Sequence, residues 1–158
     1  MSAIKIALEP SSLPEFDAAV IRGGGVPSRI SQDVESLVWT VNGQVDVLEA
    51  ILDANPQLKW VQLPWAGIDA FSSLLNRELV FTSAKGSYRE PVAEHALMLC
   101  MAMGRRIPER VKAAEWGDKF AVSLYDANVV IVGGGGIAEE LIKLLGPFRA
   151  KVTVVRRS

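Results

Sequence analysis

The sequence predicts an α/β protein, in which a parallel-sheet lobe is followed by the opening part of a second α/β unit. Three observations lead there. Short apolar runs suited to strands alternate with helical patterns from Ile4 to Thr82. A cluster of four glycines, Gly133 to Gly136, stands between an apolar run and an amphipathic stretch. A further apolar run, Lys151 to Val155, comes at the distance expected of a strand–helix–strand crossover.

Composition sets the outer bounds. The 158 residues suit one domain, or two if the second is incomplete, and 49% apolar residues suffice for a core. A net charge of −1 with mixed signs argues against a nucleic-acid or anionic-membrane surface. Cys100 is the sole cysteine, so no disulfide framework or cysteine-based metal site is expected within the chain, which fits a reducing cytoplasm. The N-terminus passes directly into a strand pattern without a signal-peptide stretch, and no apolar run is long enough to span a bilayer.

Taken in order, Ile4 to Leu8 reads as the first strand. Pro10 and Pro14 break the stretch after it, and Ala18 to Ile21 is a short apolar run ending at Gly23-Gly24-Gly25. That glycine cluster is expected to be a loop, because Pro27 and Ser28 come next and no amphipathic helix opens at the right offset. Leu37 to Val41 is a strand, and Asn42-Gly43 turns the chain. Val45 to Leu52 is helical, and Asn55-Pro56 ends it. Leu58 to Leu63 is the next strand; Pro64 to Gly67 form a turn, Ile68 to Leu75 a short helix, and Leu79 to Thr82 another strand. After the polar loop Gly86 to Glu90, Pro91 suits an early helix position. A long helix is expected from there to about Trp116. Its middle, Ala96 to Met103, is apolar all round and expected to be buried, and its end, Arg105 to Glu115, is charged and exposed. Gly117 to Tyr125 is a link.

The last stretch carries the chemistry. Val129 to Val132 suits a buried parallel strand, and the helix from Ile137 to Leu145 is stopped by Gly146-Pro147. The fingerprint G-x-G-x-x-G/A is met by Gly133, Gly135 and Ala138. Gly133 permits the tight turn. Gly135 has no side chain, so a pyrophosphate can approach the backbone around Gly134 and Gly135. Ala138 lets the helix lie close to the strands. Free N–H groups near Gly136 and Ile137 face the phosphates with the helix dipole behind them. The strand–turn–helix–strand context is what gives this short motif its weight. At the end of the second strand, where NAD binders place an acid, stand Arg156, Arg157 and Ser158. A guanidinium grips a 2′-phosphate that a carboxylate would repel, so the expected cofactor is NADP in preference to NAD.

The expected architecture is therefore a flavodoxin-like lobe over residues 1–89, a long helix and link over 90–125 that bridges the lobes, and the start of a Rossmann dinucleotide-binding domain over 126–158. Ligands in such folds lie at the carboxyl ends of strands, which places the Trp65–Ile68 and Gly86–Pro91 loops beside an interlobe cleft. A mononucleotide half-site needs a third strand, so the sequence is read as the front portion of a longer protein.

Three stretches together resemble the D-isomer-specific 2-hydroxyacid dehydrogenases: LKWVQLPWAGIDAF from Leu58, GSYREPVAEHALMLCMAMGRRIPE from Gly86, and the glycine-rich stretch from Val129 to Ser158. Their order and spacing match as well, and the likeness runs from about Leu37 onward. It implies a split first lobe that binds substrate, a second lobe that binds NAD(P), and hydride transfer to or from C2 of a small 2-oxo or 2-hydroxy acid. It implies that the Ala66-Gly67-Ile68 turn offers backbone N–H groups to the substrate carboxylate, with Ala66 near the nicotinamide and Trp65 walling the pocket. Tyr88 and Arg89 fall in a loop that shapes the pocket, and Arg89 could pair with a carboxylate. His95 matches a structural position of the A-E-H helix. The acid–base histidine, its supporting acid and the substrate arginine are implied downstream of Ser158, so no catalytic residue is expected within this chain, which is expected to be inactive alone. Such enzymes are commonly homodimers. A glyoxylate or hydroxypyruvate reductase, or a phosphoglycerate dehydrogenase-like enzyme, is the specific form implied, and the arginine pair leans towards the reductases. Two other readings stand beside it. One is a non-catalytic nucleotide-binding or interaction module. The other is an S-adenosylmethionine-binding protein, against which Arg156 argues.

Overall fold

The computed structural model describes residues 3–157. The chain divides into two compact units, Met1–Lys85 and Gly86–Ser158. Among the described residues no helix is long and apolar enough to cross a membrane.

The first unit is an α/β lobe built on five parallel strands: β1 (Lys5–Glu9), β2 (Val26–Ser28), β3 (Ser36–Trp39), β4 (Trp60–Leu63) and β5 (Val80–Ser83), in the order β2-β1-β3-β4-β5. This is the flavodoxin-like order. Strand side chains alternate between faces, so Ala7, Leu37, Trp39, Val61 and Leu63 share one side. Helix α2 (Val45–Ala54) buries Leu48 and Leu52, one turn apart, in the same cluster. A 3-10 turn, Asp69–Leu74, adds Phe71 and Leu74. The indole N–H of Trp39 is satisfied by the Gly43 carbonyl at 3.1 Å, so its ring is buried without an orphan donor.

Two differences from the sequence reading fall at the start of the chain. Helix α1 (Pro14–Arg22) occupies a stretch expected to be broken. Pro14 opens it at a position where the missing N–H costs nothing, and Glu15 and Asp17 suit the dipole of the first turn. The glycines at 23–25 form a short turn where a loop is expected, but Val26–Ser28, expected to belong to the same irregular stretch, is an edge strand. Pro27 is tolerated there because β2 has a partner on one side only. Gly25 permits close packing, since a Cβ would lie 3.0 Å from Ile6 Cδ1 and 3.1 Å from Val20 Cγ1.

The second unit holds α3 (Arg89–Gly104), α4 (Ile107–Arg110), β6 (Asn128–Val132), α5 (Gly136–Leu145) and β7 (Lys151–Val155). The helix expected to reach Trp116 stops at Gly104. Two constraints end it. The chain returns to cross Gly104, where a Cβ would lie 2.9 Å from the Val122 carbonyl oxygen, and the Val122 N–H donates to the Gly104 carbonyl at 2.8 Å. Arg106 then adopts a left-handed conformation (φ 55°), and Pro108 opens the short α4. The expected burial of the apolar middle is also corrected. α3 packs one side on α5 and buries Ala93, while Met98, Leu99, Met101 and Met103 are exposed. A helix apolar all round needs neighbours all round, and within its unit α3 has α5 on one side. Likewise Val129 and Ile131 are half-buried, but Val130 and Val132 face outward, so β6 is not the doubly buried strand expected.

The first unit offers two tests. Phe71 is fully buried in the core, so Phe71→Ala should lower unfolding free energy by about 3–5 kcal/mol, read from the denaturant midpoint. Asp33 accepts a charge-assisted hydrogen bond from Lys5 and another from Ser31, and these hold its carboxyl at about 2, below the usual 3.8. A carboxyl lowered by folding contributes stability above its unfolded value and loses it as pH falls through the folded one. The melting-temperature difference between wild type and Asp33→Asn should therefore be present at neutral pH and close as pH falls from about 4 to about 2.

Candidate functional site

β6 and β7 pair in parallel along their length, from Asn128 with Lys151 to Val132 with Val155, and α5 crosses between them. Both ends of this unit are pinned. At the amino ends of the strands, Arg149 forks onto Asp126, with Nε to Oδ1 at 2.9 Å and Nη2 to Oδ2 at 2.8 Å. The same guanidinium lies over the Tyr125 ring, 5.1 Å from its centre, and Tyr125 meets Phe148 at 5.2 Å. At the carboxyl ends, the Gly133 N–H donates to the Val155 carbonyl at 2.8 Å.

The glycine turn sits on that second pin. Gly133 has φ 105°, a region L side chains rarely adopt, so the reversal out of β6 depends on a glycine. Gly135 caps α5 in extended backbone, and a Cβ built on it would meet nothing within 4 Å. Space is therefore open over the backbone at the position where the fingerprint needs it. The first helical hydrogen bond runs from the Glu139 N–H to the Gly135 carbonyl at 3.1 Å, which leaves the N–H groups of Gly136, Ile137 and Ala138 ahead of the helical ladder. Ala138 is buried, as is Leu145 two turns on, which fixes the helix against the unit, while Ile137 is exposed. The residues present fit a dinucleotide: a glycine-only reversal, an open face and unladdered amides at a helix start converge on one turn.

Two arginines come to this turn. The Arg156 side chain lies against Gly134, and the Arg89 side chain against Gly136, where a Cβ would stand 3.7 Å from Arg89 Cδ. Arg89 Nε is 3.5 Å from Glu140 Oε1. Glu140 is itself held by Lys143, whose Nζ reaches both carboxylate oxygens at 2.9 and 3.0 Å. That hydrogen bond, with the charges of Lys143 and Arg89, holds the Glu140 carboxyl below the usual carboxylate range. Glu140 and Lys143 are not legible as site residues in the sequence, because helix charges at this spacing normally only face solvent. Arg157 is exposed, and Ser158 lies outside the described residues.

The other expected site residues stand elsewhere. Trp65, Ala66, Gly67 and Ile68 link the end of β4 to the 3-10 turn in the first unit, and all four are exposed. The Trp65 carbonyl accepts the Ala84 N–H at 3.2 Å, and the Ile68 carbonyl accepts the Phe71 N–H at 2.9 Å. The turn is thus tied at one end to the chain after β5 and at the other to a buried phenylalanine. Tyr88 is exposed immediately before α3. A separate cavity of about 590 Å³, lined by Arg106, Glu109, Arg110 and the chain from Ala113 to Asp118, shares no residue with the glycine turn. Its arginines are engaged, Arg106 with Glu109 and Arg110 with the carbonyls of Arg105, Asp118 and Phe120.

No protein-family model matches the chain. An uncharacterized protein in the proB 3′ region of Corynebacterium melassecola is 30% identical over an alignment 152 residues long, which covers 91% of this chain and 49% of that protein. Solved structures align over nearly the whole chain. A glycerate dehydrogenase related protein from Thermoplasma acidophilum matches with a TM-score of 0.67 at 24% identity, over 98% of this chain and 55% of its own. An NADPH-dependent glyoxylate/hydroxypyruvate reductase from Sinorhizobium meliloti matches with a TM-score of 0.65 at 20% identity, over 98% and 54%. A D-isomer specific 2-hydroxyacid dehydrogenase family protein from Aeromonas salmonicida matches with a TM-score of 0.67 at 18% identity, over 97% and 53%. The chain spans about half the length of these relatives, and over that span its fold is that of the D-isomer-specific 2-hydroxyacid dehydrogenases.

Proposed function

We propose that the protein is an NAD(P)-dependent oxidoreductase of small 2-oxo and 2-hydroxy acids, specific for the D isomer, with NADP the preferred cofactor. The observation that carries this reading is the glycine turn: Gly133 at positive φ, open space over Gly135, and Arg156 lying on Gly134. In this reading Gly133 to Gly136, Ile137 and Ala138 receive the pyrophosphate, and Arg156, Arg157 and Ser158 receive the adenosine ribose with its 2′-phosphate. The nicotinamide, when bound, supplies or takes up the hydride. The preference for NADP is supported by the charge at the end of β7, where a carboxylate would repel a second phosphate. It is further supported by similar structures described as NADPH-dependent, or as an acyclic imino acid reductase in complex with NADPH.

The substrate assignments belong to the same proposal. The Ala66-Gly67-Ile68 turn offers its amides to the substrate carboxylate, Ala66 borders the nicotinamide, and Trp65, Tyr88 and Arg89 shape the pocket. Arg89 supplies positive charge, moderated by Glu140. In this proposal proton transfer belongs to a histidine tuned by an acid, and substrate binding to an arginine, all assigned downstream of the residues described, and Gly133 to Ala138 with the Ala66-Gly67-Ile68 turn contribute binding and orientation. A cytoplasmic homodimer acting on glyoxylate or hydroxypyruvate is the most specific form of the proposal.

The first test is titration of the full-length protein with NADPH and NADH, followed by turnover of glyoxylate and hydroxypyruvate. NADPH should bind more tightly, and Arg156→Gln should weaken it by about tenfold or more, the worth of a charged hydrogen bond. NADPH binding without turnover of either acid would instead support the non-catalytic nucleotide-binding module. A pair of glycine variants separates fold from site. Gly133→Ala forces an alanine into positive φ and should cost about 1–2 kcal/mol of stability, read by thermal melt. Gly135→Ala meets open space, so it should keep the melting temperature yet weaken both dinucleotides.

A further inference from the structure

Gly134 occupies a variable position of the fingerprint, between the two glycines whose roles are fixed. Its backbone does not explain it, because within the turn only Gly133 has positive φ. Its surroundings do. A Cβ on Gly134 would stand 2.9 Å from Arg156 Cδ, 3.6 Å from Arg156 Cβ and 3.5 Å from Val154 Cγ1. The first distance is well inside the ordinary separation of carbon atoms. The backbone on both sides is held, since the Gly133 N–H is bonded to the Val155 carbonyl one residue before Arg156. Anything added at Gly134 must therefore displace the arginine side chain. Among the described residues Arg156 enters no ion pair, and its side chain lies over the bare glycine.

We propose that Gly134 is a specificity-determining residue that acts through Arg156. By lacking a side chain it lets Arg156 lie across the glycine turn, so that the guanidinium is pre-placed for the 2′-phosphate of NADP. A long cationic side chain loses rotamer freedom when it grips a phosphate, and one already packed against the turn loses less. This inference rests on the dinucleotide reading and extends it to a residue pair. It also accounts for Gly134, one of the two glycines in the run of four that the fingerprint does not itself require. The displaced atom is the far end of a flexible side chain, so an alanine at Gly134 can be accommodated by rotating Arg156 away, with the turn intact.

The experiment is a double-mutant cycle on the full-length protein, reading the ratio of NADPH to NADH affinity, with a thermal melt of each variant. Gly134→Ala should lower that ratio by about fivefold while the protein stays folded. Arg156→Gln should lower it further, and adding Gly134→Ala to Arg156→Gln should then leave the ratio unchanged. Equal weakening of both dinucleotides by Gly134→Ala would show a general obstruction of the turn and overturn the proposal. So would a ratio unaffected by Gly134→Ala, or one that falls again in the double variant. If Arg156→Gln itself leaves the ratio unchanged, the 2′-phosphate reading fails and the Gly134 proposal falls with it. If Arg156→Gln lowers the ratio and Gly134→Ala does not, the Gly134 proposal alone is lost.

Discussion

The candidate site depends on one backbone constraint, the positive φ of Gly133 combined with the bond from its N–H to the Val155 carbonyl. The first turns the chain out of β6 within one residue. The second fastens that reversal to the neighbouring strand. Together they set the height of the turn relative to the end of β7, and so bring Gly134 against Arg156 and set Gly135 at the start of α5. If the reversal were one residue later, the open face, the unladdered amides and the arginine would no longer converge. At the other end of the strands, the Asp126–Arg149 fork holds the register from below, stacked on Tyr125.

Much of this is legible in the sequence, for a physical reason. Glycine positions in a reversal are fixed by sterics, which act locally, so Gly133, Gly135 and Ala138 can be assigned roles without any knowledge of the rest of the molecule. The five-strand sheet is legible in the same way, except for β2. Alternation in β3 and β4 and the helical period of α2 record which side faces the core. The features that escape depend on contacts far apart in sequence. The end of α3 is set by Val122 crossing Gly104, and periodicity alone continues past it. The pairing of Arg89 with Glu140 joins residues about fifty positions apart, and neither carries a local mark. The reason for Gly134 lies in a side chain on the next strand.

The exposed Val130 and Val132, and the exposed methionines of α3, obey a different rule. Apolar pattern reports that a surface is suited to burial, and it does not report how many neighbours are present to bury it. In the first unit β3 and β4 lie inside the sheet, and the helical elements cover the face that carries the core. In the second unit two strands and α5 leave faces uncovered, so the same kind of sequence ends exposed.

The crossing at Gly104 has one more consequence. The Val122 N–H bonded to the Gly104 carbonyl stitches together the two ends of the intervening segment. That segment carries α4 and its own internal bonds from Arg110 to the carbonyls of Asp118 and Phe120. It is a closed excursion from the chain, and its length is decoupled from the spacing between α3 and β6. Closing a longer excursion costs only logarithmically more entropy. Residues inserted or removed between the two ends of the stitch would therefore change the excursion and leave the spacing of α3 and β6, and with it the glycine turn, in place.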